Sequence, residues 1–278
     1  MDGNTSIPES LELNKIYCCN CLDLMLRMPD NFVDLTVTSP PYDNLRTYKG
    51  YDFDFESIAK ELYRVTKIGG VVVWVVGDAT IKGSETGTSF RQALYFKEIG
   101  FNLHDTMIYY RWSGPLNHNR YEQEFEYMFV FSRNRPKTFN PIMVDCKWYG
   151  IDSDRTGQQY IIHDEKNRKL RSGKDRNNIK PQRINGNIWR INNSSQFGEQ
   201  YGHPAPFAEK LANDHIISWS NEGDLVYDPL CGSGTTCKMA LLNKRNYIGS
   251  EIASEYCEIA EQRVREAKTR LIWDFGAG

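Results

Sequence analysis

Short β-branched runs alternate with helical patterns in two separate stretches of this chain, and that alternation restricts its fold more than any other feature. Strands separated by helices build βαβ units and hence a parallel sheet. In the first stretch, residues 33–38 read as a buried strand ending at Pro40. Residues 55–66 carry Ile58, Leu62 and Val65 at helical spacing, and Gly69-Gly70 is the expected stop. Residues 71–76 read as the next strand, 89–99 as a helix closed by Gly100, and 105–111 and 127–132 as further strands. The pattern returns with a helix over 206–220, a strand over 225–227, a helix over 235–243, a strand over 247–250 and a helix from 254 to about 271. A chain of 278 residues suits one large α/β domain with an insertion. The expected fold is α/β and Rossmann-like, with a mostly parallel central sheet.

Between residues 133 and 201 the periodicity fades while Gly, Asn, Lys and Arg accumulate. That is too long for an ordinary connection. From 133 to 190, fourteen Lys and Arg stand against six Asp and Glu, although the whole chain has a formal net charge of −2. The asymmetry suggests a basic face for a polyanion; a solvated surface excursion is the plainer alternative. The seven cysteines show no repeated paired spacing, so Cys18-Cys19-Asn20-Cys21 reads as buried thiols and no metal is expected. The longest strongly apolar run, 71–76, is too short to span a bilayer, and the polar N-terminus does not resemble a signal peptide. A cytoplasmic protein with no membrane association is the expectation.

The segment Asp228-Pro229-Leu230-Cys231-Gly232-Ser233-Gly234-Thr235-Thr236 lies where a strand gives way to a helix. Its glycines permit a turn that a side chain would block. A phosphate-binding P-loop needs a lysine after the last glycine, and a dinucleotide fingerprint needs a third glycine where Cys237 stands. What remains is a turn with Glu251 at the end of the following strand, where a carboxylate can accept both ribose hydroxyls of a nucleoside cofactor. S-adenosyl-L-methionine has a ribose and no phosphate.

Ser39-Pro40-Pro41-Tyr42 follows a strand at the carboxyl edge, where open parallel sheets place their ligands. Two prolines restrict the backbone and leave carbonyl acceptors exposed. An exocyclic amino group would donate its two protons to the Pro40 carbonyl and to Ser39, with Tyr42 as a stacking face. Alone, this loop reads as an ordinary Pro-Pro turn.

Together the two motifs resemble the beta class of DNA amino-methyltransferases, which methylate N4 of cytosine or N6 of adenine. The resemblance covers nearly all the chain outside the basic stretch. It implies a class I methyltransferase fold with circularly permuted motif order: a catalytic part over 1–132, a target-recognition insertion over 133–201 and a cofactor-binding part over 202–278. It assigns Ser39, Pro40, Pro41 and Tyr42 to catalysis. Asp228, Pro229, Cys231, Gly232, Ser233, Gly234, Thr235 and Glu251 are assigned to the cofactor. His203-Pro204-Ala205-Pro206-Phe207 resembles the family segment that helps hold the methionine moiety, which brings in His203, Pro204 and Phe207. The family's carboxylate for the cofactor's adenine aligns with Asn20, and Asp23 is a second candidate; Leu230 replaces the usual aromatic residue. Ser-Pro-Pro-Tyr is associated more with N4-cytosine enzymes than with N6-adenine ones. The implied partner is double-stranded DNA, with the target base flipped out. Lys166, Arg168, Lys169, Arg171, Lys174 and Arg176 would meet phosphates, and Arg183 a phosphate or a base edge. A homodimer and a restriction endonuclease carried by a separate chain are compatible with this reading, as are an RNA methyltransferase and an inactive DNA-binding module.

Overall fold

The computed structural model describes residues 11–41, 53–111, 120–146, 160–162, 169–171, 180–191 and 208–275. In chain order the elements are β1 (Lys15–Cys18), α1 (Cys21–Met25), β2 (Val33–Thr38), α2 (Phe55–Val65), β3 (Thr66–Val76), β4 (Thr80–Ile81), β5 (Ser84–Glu85), α3 (Thr88–Glu98), β6 (Asn102–Tyr110) and β7 (Phe125–Ser132). They continue with β8 (Met143–Asp145), β9 (Tyr160–Ile162), β10 (Lys169–Arg171), β11 (Gln182–Ile184), β12 (Ile188–Arg190), α4 (Glu209–Trp219), β13 (Leu225–Asp228), α5 (Thr235–Leu242), β14 (Asn246–Glu251) and α6 (Ser254–Phe275).

Contacts divide the chain into a large unit, Met1–Asn140 with Asn187–Gly278, and a small unit, Pro141–Gly186. The large unit is built on a sheet of order β1-β14-β13-β2-β3-β7-β6-β12. Every neighbouring pair in it is parallel except those made by β7, which runs antiparallel to β3 and β6. The expected α/β architecture with a mostly parallel sheet is therefore present. In the small unit, β8 pairs with β11 and β9 with β10, both antiparallel.

The centre of the sheet is covered on both faces, which is why β3 reads as an unbroken apolar run. Val71 through Val76 are all at most 1% exposed. Val72, Trp74 and Val76 point into a core shared with Leu24 and Met25 of α1, Ile58 and Leu62 of α2 and Phe96 of α3. Trp74 donates its indole N–H to Gln92 Oε1 at 2.8 Å, satisfying the polar atom of a fully buried ring. The other helical layer is α4, α5 and α6, packed side by side.

Two local expectations are corrected. The helix α2 is capped at its start by Asp54, whose Oδ1 accepts the Ser57 N–H at 3.1 Å, but it stops at Val65 and not at the glycines. Thr66 leaves helical geometry and its hydroxyl closes the helix end on the Leu62 carbonyl at 2.6 Å. Gly69 and Gly70 instead lie inside β3, beside the place where the β2–β3 register slips between Val33 and Leu35. A Cβ on Gly70 would stand 2.8 Å from Thr66 Cγ2, so the irregularity needs glycine there. The second correction is β12, three residues of the fading stretch that join the edge of the main sheet and bury Trp189.

Trp189 packs on His215 of α4, their ring centroids 4.5 Å apart. His215 is fully buried with Nε2 3.3 Å from Met128 Sδ, while Nδ1 has no hydrogen-bond partner among the described residues. Burial drives its pKa down to about 3, so the folded protein holds it neutral. In the unfolded chain the imidazole titrates near 6.5, so protons bind preferentially to the unfolded state once the pH falls below that value. Stability is then full above that range and declines on acidification by about 1.4 kcal/mol per pH unit. Denaturant titrations at pH 7.5 and 5.5 should show that decline shrinking by about one proton's worth in His215→Phe; an unchanged pH slope would remove His215 as its source.

Candidate active site

The central strands β2 and β13 are neighbours in the sheet, yet the helices that follow them lead to opposite sides: β2 continues through α2 to β3, and β13 through α5 to β14. Such a divergence opens a crevice at the carboxyl ends of the strands. Ser39 and Pro40 leave β2 at that edge, and Pro229 and the glycine turn leave β13 beside them. The junction is pinned by hydrogen bonds. Thr38 donates its hydroxyl to Asp228 Oδ1 at 2.7 Å, and Thr236 donates to the Val37 carbonyl at 3.1 Å. Pro40 is buried while Ser39 and Pro41 are partly exposed; Tyr42 lies outside the described residues.

The turn after β13 owes its shape to its neighbours. Gly232 and Gly234 have φ of 49° and 75°, where a side chain is strained, and a Cβ on Gly234 would lie 2.7 Å from Ala260 Cβ of α6. The Cys231 N–H donates to the Ser250 carbonyl at 2.9 Å, and the Ser250 hydroxyl to the Pro229 carbonyl at 2.8 Å. Glu251 ends β14 at 8% exposure. Its Oε2 accepts the Gly232 N–H and its Oε1 the Ala253 N–H, each at 2.9 Å. Each carboxylate oxygen keeps a lone pair for one hydroxyl of a cis-diol. Asn20 and Asp23 stand nearby in the sheet order, because β1 pairs with β14 and the Cys19 N–H donates to the Glu251 carbonyl at 2.9 Å. Asn20 is the N-cap of α1: its side chain accepts from Leu22 N–H at 2.9 Å and its carbonyl from Leu24 N–H at 3.2 Å.

Of the cofactor candidates, Asn20, Asp23, Asp228, Pro229, Cys231, Gly232, Ser233, Gly234, Thr235 and Glu251 thus gather around the ends of three adjacent strands. His203, Pro204 and Phe207 lie outside the described residues. So do Lys166, Arg168, Lys174 and Arg176 among the basic candidates; Lys169 and Arg171 begin and end β10, and Arg183 is exposed on β11. The expectation of buried thiols in the Cys18-Cys19-Asn20-Cys21 segment is corrected: Cys21 is buried, as are Cys231, Cys237 and Cys257, but Cys18 and Cys19 are partly exposed, as is Cys146. Sequence reasoning missed Thr38 of β2, Thr236 of α5 and Ser250 of β14, each with a buried side chain. For Thr38 the available signal was the alternation of Thr36 and Thr38 with Leu35 and Val37 in β2.

Two buried carboxyl groups dominate the electrostatics. Burial raises Asp228 to about 6 against hydrogen bonds from the Thr38 hydroxyl and the Leu230 N–H, with the Glu251 charge adding to the rise. Burial also raises Glu251, while the N–H groups of Ala253, Gly232 and Ile252 pull it back. An acid whose pKa is higher folded than unfolded holds its extra proton in the folded state, so its contribution falls as the pH rises from about 4 through about 6. At neutral pH the ionised Asp228 therefore costs on the order of 3 kcal/mol. Both observed donors to Oδ1, Thr38 and Leu230 N–H, would be kept by an amide oxygen. Asp228→Asn should accordingly unfold at a higher temperature than the parent at pH 7.5, with the gap closing towards pH 4; equal gaps at both pH values would contradict the assignment.

Residues 33–262 match the model of the N6/N4-type family described as DNA methylase. The chain is 58% identical over 243 residues to the orphan methyltransferase M.BamHII of Bacillus amyloliquefaciens, covering 85% of this chain and 90% of that one. It is 26% identical to the type II methyltransferase M.BglII of Bacillus subtilis, over 94% of this chain and 73% of the other. Among solved structures it resembles the cytosine-N4-specific PvuII DNA methyltransferase with a TM-score of 0.66 and 22% identity, covering 93% of this chain and 92% of that chain. The Ser39-Pro40 loop and the glycine turn meet at one sheet edge, and with these matches the chain belongs to the N6/N4 family of DNA amino-methyltransferases.

Proposed function

We propose that the chain transfers a methyl group from S-adenosyl-L-methionine to N4 of a cytosine flipped out of duplex DNA, within a short recognition sequence. The observation that carries this reading is the Thr38–Asp228 hydrogen bond, which holds the Ser39-Pro40 loop and the glycine turn on adjacent strands. A base at the first is then within reach of a cofactor at the second. The cofactor supplies an electrophilic methyl on a sulfonium. Glu251 binds the ribose hydroxyls, and Gly232 and Gly234 let the turn's backbone approach the cofactor without a side chain intervening. Ser39 and the Pro40 carbonyl accept the two amino protons of the base, which shifts nitrogen density out of the ring, and Tyr42 stacks on the ring. No strong base is required before transfer, because the proton leaves afterwards.

The serine in the catalytic loop supports cytosine, and so does the likeness to a cytosine-N4-specific enzyme. The basic stretch of 133–201, which includes the Pro141–Gly186 unit, serves target recognition in this reading. Lys166, Arg168, Lys169, Arg171, Lys174 and Arg176 contact phosphates, and Arg183 contacts the duplex from β11. That M.BamHII is described as an orphan supports action without a dedicated endonuclease. No helix among the described residues is long and apolar enough to cross a membrane.

Expression in a host free of DNA methylation, followed by single-molecule sequencing of its genome, tests the reading directly. One motif carrying N4-methylcytosine is expected. N6-methyladenine would overturn the base, and unmodified DNA with folded protein would overturn the activity. With purified protein, Glu251→Gln should weaken S-adenosyl-L-methionine binding by about ten-fold or more. Ser39→Ala should lower kcat with little change in cofactor Kd. The opposite pattern would exchange their roles.

A further inference from the structure

The buried face of α6 carries one charged residue in an otherwise apolar row, Arg263 between Ala260, Val264 and Ala267. At 7% exposure, an arginine must find its donors partners or be strongly destabilising. Its Nη1 donates to the Ser233 carbonyl at 2.6 Å, to Ser233 Oγ at 2.8 Å and to Thr235 Oγ1 at 3.1 Å. Its Nη2 donates to Glu209 Oε1 at 2.8 Å, which Lys238 of α5 also reaches at 2.6 Å. Burial works to raise the Glu209 carboxyl, but Lys238 and Arg263 together hold it below the ordinary value, as a charged carboxylate. One guanidinium thereby ties the glycine turn to the first residue of α4 and to the helix beneath it, while Ala260, three residues earlier, forms the floor under Gly234.

We propose that Arg263 is the positioning residue of the cofactor turn, setting affinity for S-adenosyl-L-methionine through Ser233 and Thr235 without touching the cofactor. The proposal rests on the cofactor reading above. It also revises the roles of Ser233 and Thr235: their side-chain oxygens accept from α6, so the turn presents its backbone to the cofactor and its hydroxyls to Arg263. The planar fork is what the site uses. A lysine at 263 keeps the charge but cannot reach the Ser233 carbonyl, two hydroxyls and Glu209 together.

The test uses the full chain, with cofactor and S-adenosylhomocysteine affinities measured by calorimetry alongside KM, kcat, DNA affinity and thermal stability without cofactor. Arg263→Lys should raise the Kd and KM for S-adenosyl-L-methionine by about ten-fold, a loss equal to one or two charge-assisted hydrogen bonds. At saturating cofactor, kcat and DNA affinity should stay near the parent values. Thr235→Val, which removes one acceptor and leaves the arginine, should shift Kd in the same direction by a smaller factor, and it carries the test if the lysine variant does not fold. Lower thermal stability in both variants with unchanged cofactor Kd would overturn the proposal and leave Arg263 as a scaffold residue. If the parent protein itself binds no S-adenosyl-L-methionine, the cofactor reading fails first, which separates the two failures.

Discussion

The hydrogen bond from Thr38 to Asp228 is the contact on which the site depends, because it closes the sheet at the place where its connectivity diverges. To one side the chain builds β3 and the aromatic core around Trp74; to the other it builds the turn, α5 and β14. A ligand crevice forms where two such halves meet. The side chains that hold this seam are buried hydroxyls and one carboxyl, and the short reach of these groups keeps the two loops at fixed spacing. Thr236, the second residue of α5, repeats the device by donating to the Val37 carbonyl of β2.

The same economy governs charge. Asp228 and Glu251 are both buried at the ends of neighbouring strands, where an ionised carboxyl is expensive. Each is offset chiefly by backbone N–H groups and hydroxyls, and among the described residues no arginine or lysine forms an ion pair with either. The cations of this region, Arg263 and Lys238, pair with Glu209 instead.

Much of this was legible in the residues because the informative patterns are local. A proline pair after a strand, two glycines between strand and helix, and a glutamate ending the next strand are each written within a few positions. The seam was not legible in that way. Thr38 and Asp228 are 190 positions apart, and nothing in either neighbourhood names the other. Short elements escaped for a different reason: β12 has three residues and β1 four, too few for a period of two to stand out. Gly69-Gly70 misled because glycine after an amphipathic run is a common helix stop, whereas here Thr66 ends the helix and the glycines serve a strand irregularity. Arg263 did carry a signal, a lone charge within the buried stripe of a helix, which marks a satisfied partner elsewhere.

The permuted order has a consequence for how the protein comes into being. The central pair of the sheet joins a strand from the first forty residues to one that ends at position 228, so the middle of the core cannot close while the ribosome is still working on the segment between them. The β2–β3–β7 portion, once made, waits with one long apolar edge unpaired. Long-range pairing of this kind is slow, and an open edge is the place where strands from other chains add. For this topology the pairing of β2 with β13 follows the making of everything between them.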